Sequence, residues 1–386
     1  MNKNIVISAP VYSLSGYGAH SRDIITSLWD SGLFNIKAIA NGWGASSNIN
    51  TLSPSTKDVL EYVTDVNNLK KDSIFTYIHV GIPPEFKPLS KTMNIGITAG
   101  LEADYIPKTW VEGCHKMNLI IVPSKFVKNI FIKSGVKTRI EVVSEGVDTS
   151  IFNPQAPPLP LEIPGSPSFT FLTIGQWLDL EVGRDRKQLG LLLELFLTIF
   201  KDNPNVNLIM KSYINNHSSS DGQILKERIK ELKESISSKA NIYLLHGELS
   251  DQELAGLYTN PNINAFISLT SGEGWGRPIA ESLSCELPVI VTGWSGHMDF
   301  VNENYSVALP YKLGKVPKGL FFFEPGMQWA YVDIAAVSNV MLRLVNDSSF
   351  YSSLTSKARE FGDSFRKTYD KKIKYQKLIQ LLTEGD

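Results

Sequence analysis

Residues 264–292 constrain the fold more than any other part of the sequence. An apolar run at 264–269 predicts a buried strand, and residues 288–292 predict a second one. Between them lie a glycine-rich turn and a helix predicted at 279–286. Pro278 suits the start of that helix, where its missing N–H costs nothing. This order is typical of a βαβ unit, so we expect parallel strands joined by crossover helices. Amides at the helix start predict an anion site that would fit a diphosphate.

Length and composition limit the class of protein. A chain of 386 residues is too long for one ordinary core, which predicts two domains. A hydrophobic content of 42% and a charged content of 20% are typical of a soluble globular protein. The net charge of −1 gives no long-range attraction to nucleic acid, so we expect no nucleic-acid partner.

The cysteines, the N-terminal sequence and the lengths of the apolar runs indicate the cellular compartment. Cys114 and Cys285 lie far apart in apolar or small-residue surroundings, which predicts reduced core thiols rather than a disulfide or a metal site. The chain leads straight into a strand without a signal peptide, and no apolar run reaches the roughly 18 residues of a membrane span. We therefore expect a cytoplasmic protein.

Two features in the first half follow predicted strands. After a strand at 4–9 comes a loop with Gly16, Tyr17 and Gly18, then a helix. Such a loop can cradle a phosphate or admit an acceptor, and the alternative is a plain strand-to-helix turn. His79 ends a strand at 73–80, and ligands of doubly wound sheets lie beyond the carboxyl ends of strands. The alternative for His79 is a core histidine with satisfied hydrogen bonds.

The stretch at 154–167 contains six prolines, too many for the interior of a helix or strand. We expect an interdomain linker at 156–167. It would separate an N-terminal Rossmann-like domain at 1–155 from a C-terminal one at 168–364, followed by a C-terminal helix at 365–386.

The central stretch resembles a known family. Glu273, seven residues, then Glu281, with Gly-Trp-Gly-x-Pro between them, is similar to the E-x7-E signature of family-4-type retaining glycosyltransferases. The resemblance implies an α/β protein of the GT-B fold, with two Rossmann-like domains facing each other across a cleft. The N-terminal domain would form the acceptor side and the C-terminal domain the donor side. The last helix would cross back to the N-terminal domain.

The resemblance also implies roles for individual residues. Glu273 would hold the sugar hydroxyls, and Glu281 would hold the ribose. Cations would face the leaving diphosphate, whose charge grows as the sugar departs. Relatives have an arginine where this chain has Gln176, so that role falls to Arg184 or Arg186. The predicted catalytic residues are His79, Glu273, Lys187 and Arg186. The predicted donor-binding residues are Gly16, Gly18, Arg184, Lys211, Gly274, Trp275, Gly276, Arg277, Pro278 and Glu281. The predicted acceptor-side residues are Tyr17 and Glu102, where the alternative for Glu102 is a carboxylate at a helix start.

The implied reaction moves a sugar from a nucleotide-diphosphate sugar to an acceptor hydroxyl with retention of configuration. We expect no metal and no other cofactor, because Asp179, Leu180 and Glu181 are the nearest approach to a metal motif and lie in a loop. The acceptor would be a glycan, a lipid-linked molecule or a protein. A predicted helix at 125–135 has an apolar face and a lysine face, which indicates a core-facing helix or weak peripheral contact with an anionic membrane.

Two alternative functions remain open at this stage. The first is another GT-B enzyme, such as a sugar-nucleotide epimerase or a phosphorylase. The second is a non-catalytic protein that binds a nucleotide sugar. The sequence does not indicate the base, the sugar, the acceptor or the oligomeric state.

Overall fold

The structure is a computed structural model that describes residues 3–43, 51–64, 74–163 and 168–384. Part of the predicted linker, residues 164–167, lies outside the described residues. The chain forms two units, each assembled from more than one stretch of sequence. Unit 1 comprises Met1–Asp148, Lys318–Gln328 and Thr368–Asp386, and unit 2 comprises Thr149–Pro317 and Trp329–Lys367.

Unit 1 contains a parallel sheet of six strands. The strands are β1 (Lys3–Ala9), β2 (Phe34–Ala40), β3 (Thr76–Val80), β4 (Met93–Ile97), β5 (Leu119–Val122) and β6 (Arg139–Val142). Their order is β2-β1-β3-β4-β5-β6, and every neighbouring pair is parallel. Near-continuous apolar runs such as the one in β5 are expected where helices cover both faces of a parallel sheet.

In the described part of unit 1, four helices connect these strands. They are α1 (Gly16–Asp30), α2 (Pro54–Thr64), α3 (Lys108–Cys114) and α4 (Lys125–Lys133). Helix α1 begins after Ser15, whose hydroxyl accepts a hydrogen bond from the Gly18 amide at 3.2 Å. In α4 the side chains of Val127, Ile130 and Phe131 are buried, so the predicted apolar face packs inside the protein.

Unit 2 contains a second parallel sheet of six strands. The strands are β7 (Phe169–Gln176), β8 (Val206–Tyr213), β9 (Asn241–Leu245), β10 (Ala265–Ser268), β11 (Val289–Thr292) and β12 (Ser306–Leu309). Their order is β12-β11-β10-β7-β8-β9. The helices are α5 (Leu189–Ile199), α6 (Ser219–Ile236), α7 (Asp251–Tyr258), α8 (Arg277–Ser284), α9 (Ile334–Asn346) and α10 (Ser348–Tyr369). The predicted βαβ unit is therefore present as β10, α8 and β11.

The region after β12 differs from the sequence-based expectation. Residues 305–333 read as mostly loop, but they contain β12 and two further strands, β13 (Tyr311–Lys315) and β14 (Gln328–Val332), which pair in a small separate sheet. The segment Lys318–Gln328 belongs to unit 1, where Asp104 bonds to both backbone groups of Gln328, at 2.7 and 2.9 Å.

The C-terminal helices also differ from the expectation. A helix was expected to begin at Phe365, yet α10 runs without a break from Ser348 to Tyr369, and Phe365 is buried within it. The break comes at Asp370, whose carboxylate caps the next turn by accepting the Lys372 amide at 2.8 Å. After it come α11 (Lys371–Lys374) and α12 (Gln376–Glu384).

These last helices complete the core of unit 1. Tyr375, Leu378 and Leu382 lie in the same apolar cluster as the side chains of β1 and α1. A short parallel bridge ties the segment to the loop after β6, because the Val147 amide donates to the Tyr369 carbonyl at 2.8 Å and the Val147 carbonyl accepts from the Lys371 amide at 2.9 Å. The C-terminal residues are therefore part of this unit rather than an appendage.

Two further observations concern expectations about the environment. Cys114 and Cys285 are both buried and free, as expected for reduced core thiols, and burial raises the pKa of the Cys114 thiol to about 12. Among the described residues, none of the helices combines the length and the hydropathy that a membrane span requires.

Candidate functional site

The order of strands in unit 2 singles out one edge of its sheet. Strands β7 and β10 are neighbours, but β7 leads on to β8 at one side while β10 leads on to β11 at the other. The loops that follow these two strands therefore meet at the carboxyl edge, which is where open parallel sheets bind ligands. The loop after β7 carries Arg184, Arg186 and Lys187, and the loop after β10 carries Glu273.

Hydrogen bonds join these two loops directly. The Ser271 amide donates to the Arg186 carbonyl at 2.8 Å, and the side chain of Gln188 donates to the Ser271 hydroxyl at 2.9 Å. The Arg186 guanidinium donates to the Gly272 carbonyl at 2.6 Å. Because backbone and side chains both take part, the two loops present Arg186 and Lys187 in a defined position.

Three of the predicted catalytic residues meet at this point. The Lys187 ammonium lies 2.6 Å from one carboxylate oxygen of Glu273, and the Arg186 guanidinium lies 3.5 Å from the other. Glu273 is 7% exposed. Burial alone would raise the pKa of Glu273, but the charges of Lys187 and Arg186 outweigh that effect and hold the pKa at about 2.

The structure separates the two candidate arginines. Arg186 contacts Glu273, whereas the guanidinium of Arg184 lies 2.9 Å from Asp179 and 3.4 Å from Glu181. The sequence could not distinguish them, because they flank the same buried carboxylate, Asp185, and differ only in the direction of their side chains.

The glycine-rich turn leads into α8. Gly276 caps the helix with a φ of 99°, a conformation that glycine adopts without strain. The helix begins at Arg277, two residues before the predicted start, and Pro278 lies in its first turn. The side chain of Trp275 is 2% exposed and packs against Phe300 with ring centroids 5.2 Å apart. Because the Trp275 side chain is buried, only the backbone of Trp275 could contact a donor, as is also the case for Gly274.

Glu281 lies on the buried side of α8. It is 5% exposed, accepts a hydrogen bond from the Tyr258 hydroxyl at 3.1 Å, and lies 3.7 Å from the Arg277 guanidinium. Glu273 precedes the helix and Glu281 lies within it, so the two carboxylates have different partners. Tyr258 ends the preceding helix, and nothing in the local sequence marked it as the partner of Glu281.

Lys211 has a different neighbourhood from Lys187. Its ammonium donates to the Gly247 carbonyl at 2.5 Å, in the loop after β9, and its side chain is largely buried. Burial lowers the pKa of Lys211 to about 8. This predicted donor-binding residue therefore lies at the β8–β9 side of the same sheet edge.

In unit 1, the equivalent change of direction lies between β1 and β3. Gly18 follows β1 and packs so closely against the Ser13 carbonyl that a side chain would overlap it. Gly16 faces open space, so the packing of the protein does not itself demand glycine there. Of the two predicted glycines, Gly18 thus has a clear structural role, and Gly16 leaves room for a ligand.

Tyr17 and Glu102 lie near each other in unit 1. The Tyr17 hydroxyl bonds to Thr98 at 3.0 Å and accepts from the Ala99 amide at 3.1 Å, which ties α1 to the loop after β4. Burial raises the pKa of Tyr17, and the charge of Glu102 raises it further as a smaller effect. Both predicted acceptor-side residues therefore belong to one neighbourhood of this unit.

His79 lies near the carboxyl end of β3 and is 7% exposed. Its ring packs against Phe86 with centroids 5.4 Å apart, and its Nδ1 lies 3.5 Å from the Tyr77 hydroxyl. Burial lowers the pKa of His79, so the neutral imidazole is favoured at pH 7. A neutral ring in this position can donate or accept a hydrogen bond but adds no charge.

No three His, Cys, Asp or Glu side chains within the described ranges lie together in a way that could hold a metal ion. The absence of a metal and of any other cofactor stays a prediction.

The charge on Glu273 predicts how stability depends on pH. Its pKa in the folded protein, about 2, lies below its ordinary value of 4.5, so the ion pairs stabilise the fold fully above about pH 4.5 and lose that effect as pH falls through 2. The shift corresponds to about 3 kcal/mol. We expect Glu273→Gln to lower the free energy of unfolding by about that amount at pH 7 and by about 1 kcal/mol at pH 3. Urea denaturation at both pH values measures these free energies. In a Lys187→Met background, the effect of Glu273→Gln should differ less between pH 7 and pH 3.

Comparisons with known proteins agree with this architecture. Residues 179–312, which include both loops of the site and α8, match the family model described as glycosyl transferases group 1. No curated protein matches the chain in overall sequence.

Solved structures resemble the whole chain. Sucrose-phosphate synthase from Thermosynechococcus elongatus has a TM-score of 0.64 at 13% identity, with 100% of both chains covered. Anabaena HepE, solved with UDP and glucose, has a TM-score of 0.63 at 12% identity, covering 99% of this chain and 100% of HepE. A glycosyltransferase from Rickettsia africae has a TM-score of 0.61 at 14% identity, covering 99% of this chain and 98% of its own. The chain has the GT-B fold, and its resemblance to GT-B glycosyltransferases is confirmed.

Proposed function

We propose that this chain is a retaining glycosyltransferase of the GT-B fold, which moves a sugar from a nucleotide-diphosphate sugar to an acceptor hydroxyl without a metal ion. The observation that carries the proposal is the contact of Lys187 and Arg186 with Glu273 at the switch point of unit 2. That contact lies inside the segment that matches the glycosyl transferases group 1 model. A binding protein could use the same cations, so turnover is the property to test.

The residues divide the work as follows. Lys187 and Arg186 meet the diphosphate, and their charge stabilises the leaving group as the bond to the sugar breaks. Because a diphosphate is a good leaving group, no carboxylic acid is needed to protonate it, in contrast to glycoside hydrolysis. Two fixed protein cations supply charge that a metal ion would otherwise provide.

The two carboxylates orient the donor. Glu273 accepts hydrogen bonds from sugar hydroxyls, and its two cationic neighbours keep it ionised. Glu281 accepts from the ribose hydroxyls, with the Tyr258 hydroxyl and Arg277 fixing its orientation. For retention, the acceptor hydroxyl approaches on the side from which the diphosphate leaves. His79 of unit 1 stays a predicted catalytic residue, whose neutral imidazole can donate or accept a hydrogen bond.

The donor screen should begin with uridine nucleotides, because HepE of similar fold was solved with UDP and with UDP-glucose. We expect one of UDP-, GDP-, ADP- or TDP-sugars to raise the melting temperature, since a ligand that binds only the folded state stabilises it. With that donor, free nucleoside diphosphate should accumulate only when an acceptor is added. EDTA should not slow this accumulation, because the reaction needs no metal ion. Donor turnover that needs no acceptor and isomerises the sugar would favour an epimerase, and binding without turnover would favour a non-catalytic protein.

Glu281→Ala is expected to weaken nucleotide binding about 10- to 100-fold, the loss of hydrogen bonds to a charged group. Tyr258→Phe removes only the hydroxyl that orients Glu281, so it should weaken binding less, by about threefold to tenfold. Isothermal titration with the nucleoside diphosphate measures both. Equal affinity in the wild type and Glu281→Ala would remove Glu281 from the donor site.

A further inference from the structure

The backbone of Ser295 has a conformation that serine rarely adopts. Its φ is 89° and its ψ is −159°, a region populated almost entirely by glycine. Ser295 lies in the turn after β11 and is 5% exposed, so solvent does not account for the polar side chain. A residue held in such a conformation requires surrounding contacts that compensate for the strain, and these lie at Glu273.

Residues 295 and 296 hold both backbone groups of Glu273. The Glu273 amide donates to the Ser295 hydroxyl at 2.8 Å, and the Gly296 amide donates to the Glu273 carbonyl at 2.9 Å. The carboxylate of Glu273 meets Lys187 and Arg186, while its backbone is fixed from this second loop. A glycine at position 295 would adopt this backbone conformation without strain and would keep the hydrogen bond of the Gly296 amide. What serine adds at this position is therefore its hydroxyl, which accepts the Glu273 amide.

His297 fixes the direction of the Ser295 hydroxyl. The His297 ring is fully buried, and its Nε2 lies 2.7 Å from the Thr292 carbonyl, so Nε2 carries the hydrogen. Its Nδ1 lies 3.5 Å from the Ser295 oxygen and is then the acceptor. A Ser295 O–H directed at Nδ1 leaves an oxygen lone pair for the Glu273 amide. Burial also lowers the pKa of His297, in keeping with a neutral ring.

We propose that Ser295 and His297 are positioning residues that orient Glu273 through its backbone for the reaction on the donor sugar. The chain of hydrogen bonds runs from the Glu273 amide through the Ser295 hydroxyl and His297 to the Thr292 carbonyl. Neither side chain touches the substrate. The expected effect on turnover rests on the proposed function. The hydrogen bonds themselves do not depend on it.

The decisive variant is Ser295→Gly, because strain and positioning predict opposite effects. Relief of the strained backbone opposes the loss of the buried hydrogen bond from the Glu273 amide, so the melting temperature should stay near that of the wild type. Turnover should nevertheless fall about tenfold or more, since a small misplacement of a reacting group is costly, while the KM for the donor stays within about twofold. The matched control is Ser237→Gly, at an exposed serine with a φ of 55° at the end of α6. Ser237→Gly relieves a positive φ without removing a buried hydrogen bond, so it should not lower the melting temperature and should leave turnover unchanged.

A measurement without substrate separates this inference from the proposed function. In protein labelled with ¹⁵N-histidine, His297 is assigned by the signal that His297→Gln removes, and we expect its hydrogen on Nε2. Ser295→Gly should shift the Nδ1 signal and leave the other histidines unchanged. A hydrogen on Nδ1, or undiminished turnover in Ser295→Gly, would overturn the inference. A wild type that transfers no sugar from any donor, with the expected NMR signals, would instead refute the proposed function alone.

Discussion

Replacement of Glu273 by glutamine is expected to reduce kcat about 10²- to 10³-fold, comparable to the loss of a fixed charge or hydrogen bond at a transition state. Glutamine has nearly the same shape and keeps one oxygen acceptor, but it removes the charge that Lys187 and Arg186 face at 2.6 and 3.5 Å. The sugar hydroxyls would lose a charged acceptor, and the two cations would no longer be held by their shared partner. Steady-state release of nucleoside diphosphate measures the effect.

The matched control for this variant is Glu286→Gln in the same unit. Glu286 also forms a partly buried ion pair, with its carboxylate 2.9 Å from the Arg366 guanidinium, but it belongs to the packing of α10 rather than to the site. We expect it to cost some stability and to leave kcat within about twofold. If the two variants lose activity equally, the loss comes from stability, and the catalytic role of Glu273 is wrong.

A chain that ends at Asp370 is expected to lose the fold of unit 1. The deletion removes Tyr375, Leu378 and Leu382, each at most 6% exposed, from the core of the main sheet. At about 2 kcal/mol for each buried side chain, the loss is about 6 kcal/mol, which is as large as the whole stability of many domains. It also removes Lys371, which lies 2.8 Å from Asp148 and 3.7 Å from Asp23.

Limited proteolysis with mass spectrometry tests this expectation. Cleavage should spread through residues 3–148, while peptides from unit 2 remain protected. Tyr375→Ala is a milder change than the truncation. It should lower the free energy of unfolding, measured by denaturation, by about 3 to 5 kcal/mol. Gln380→Ala on the exposed side of α12 should be nearly neutral. A truncated protein that resists proteolysis as well as the full chain would show that these helices are dispensable.

The fold could be predicted where local signals agree with packing. The apolar runs at β10 and β11 and the glycine turn between them give the βαβ unit its unambiguous pattern. Ser250 followed three residues later by Glu253 is the sequence pattern of a capping box, and in α7 each of the two side chains does accept from the backbone of the other. In α10, by contrast, the predicted start of a new helix at Phe365 is absent, because the helix continues through Gly362. Gly362 lies inside the helix because the side chain of Glu286 packs directly against it and leaves no room for a Cβ atom.

The site could be predicted only in part. Glu273 and Glu281 stand out by their spacing, and Lys187 by its match to a lysine of the family that the chain resembles. The residues that orient them, Ser271, Tyr258 and Ser295, depend on contacts between loops that are distant in sequence, and a serine or tyrosine carries no local mark of such a contact. Strands β13 and β14 were missed because each has only five residues. In addition, β13 contains Gly314 and lies between Pro310 and Pro317, and β14 closely follows Gly326.

The division of unit 1 among three stretches of sequence also bears on the biogenesis of the chain. During translation, every residue of unit 2 is synthesised before the last helices of unit 1. Unit 2 can therefore mature first, while the nascent N-terminal sheet still exposes the apolar surface that Tyr375, Leu378 and Leu382 later cover. Completion of the core of unit 1 therefore waits for the synthesis of residues 371–384.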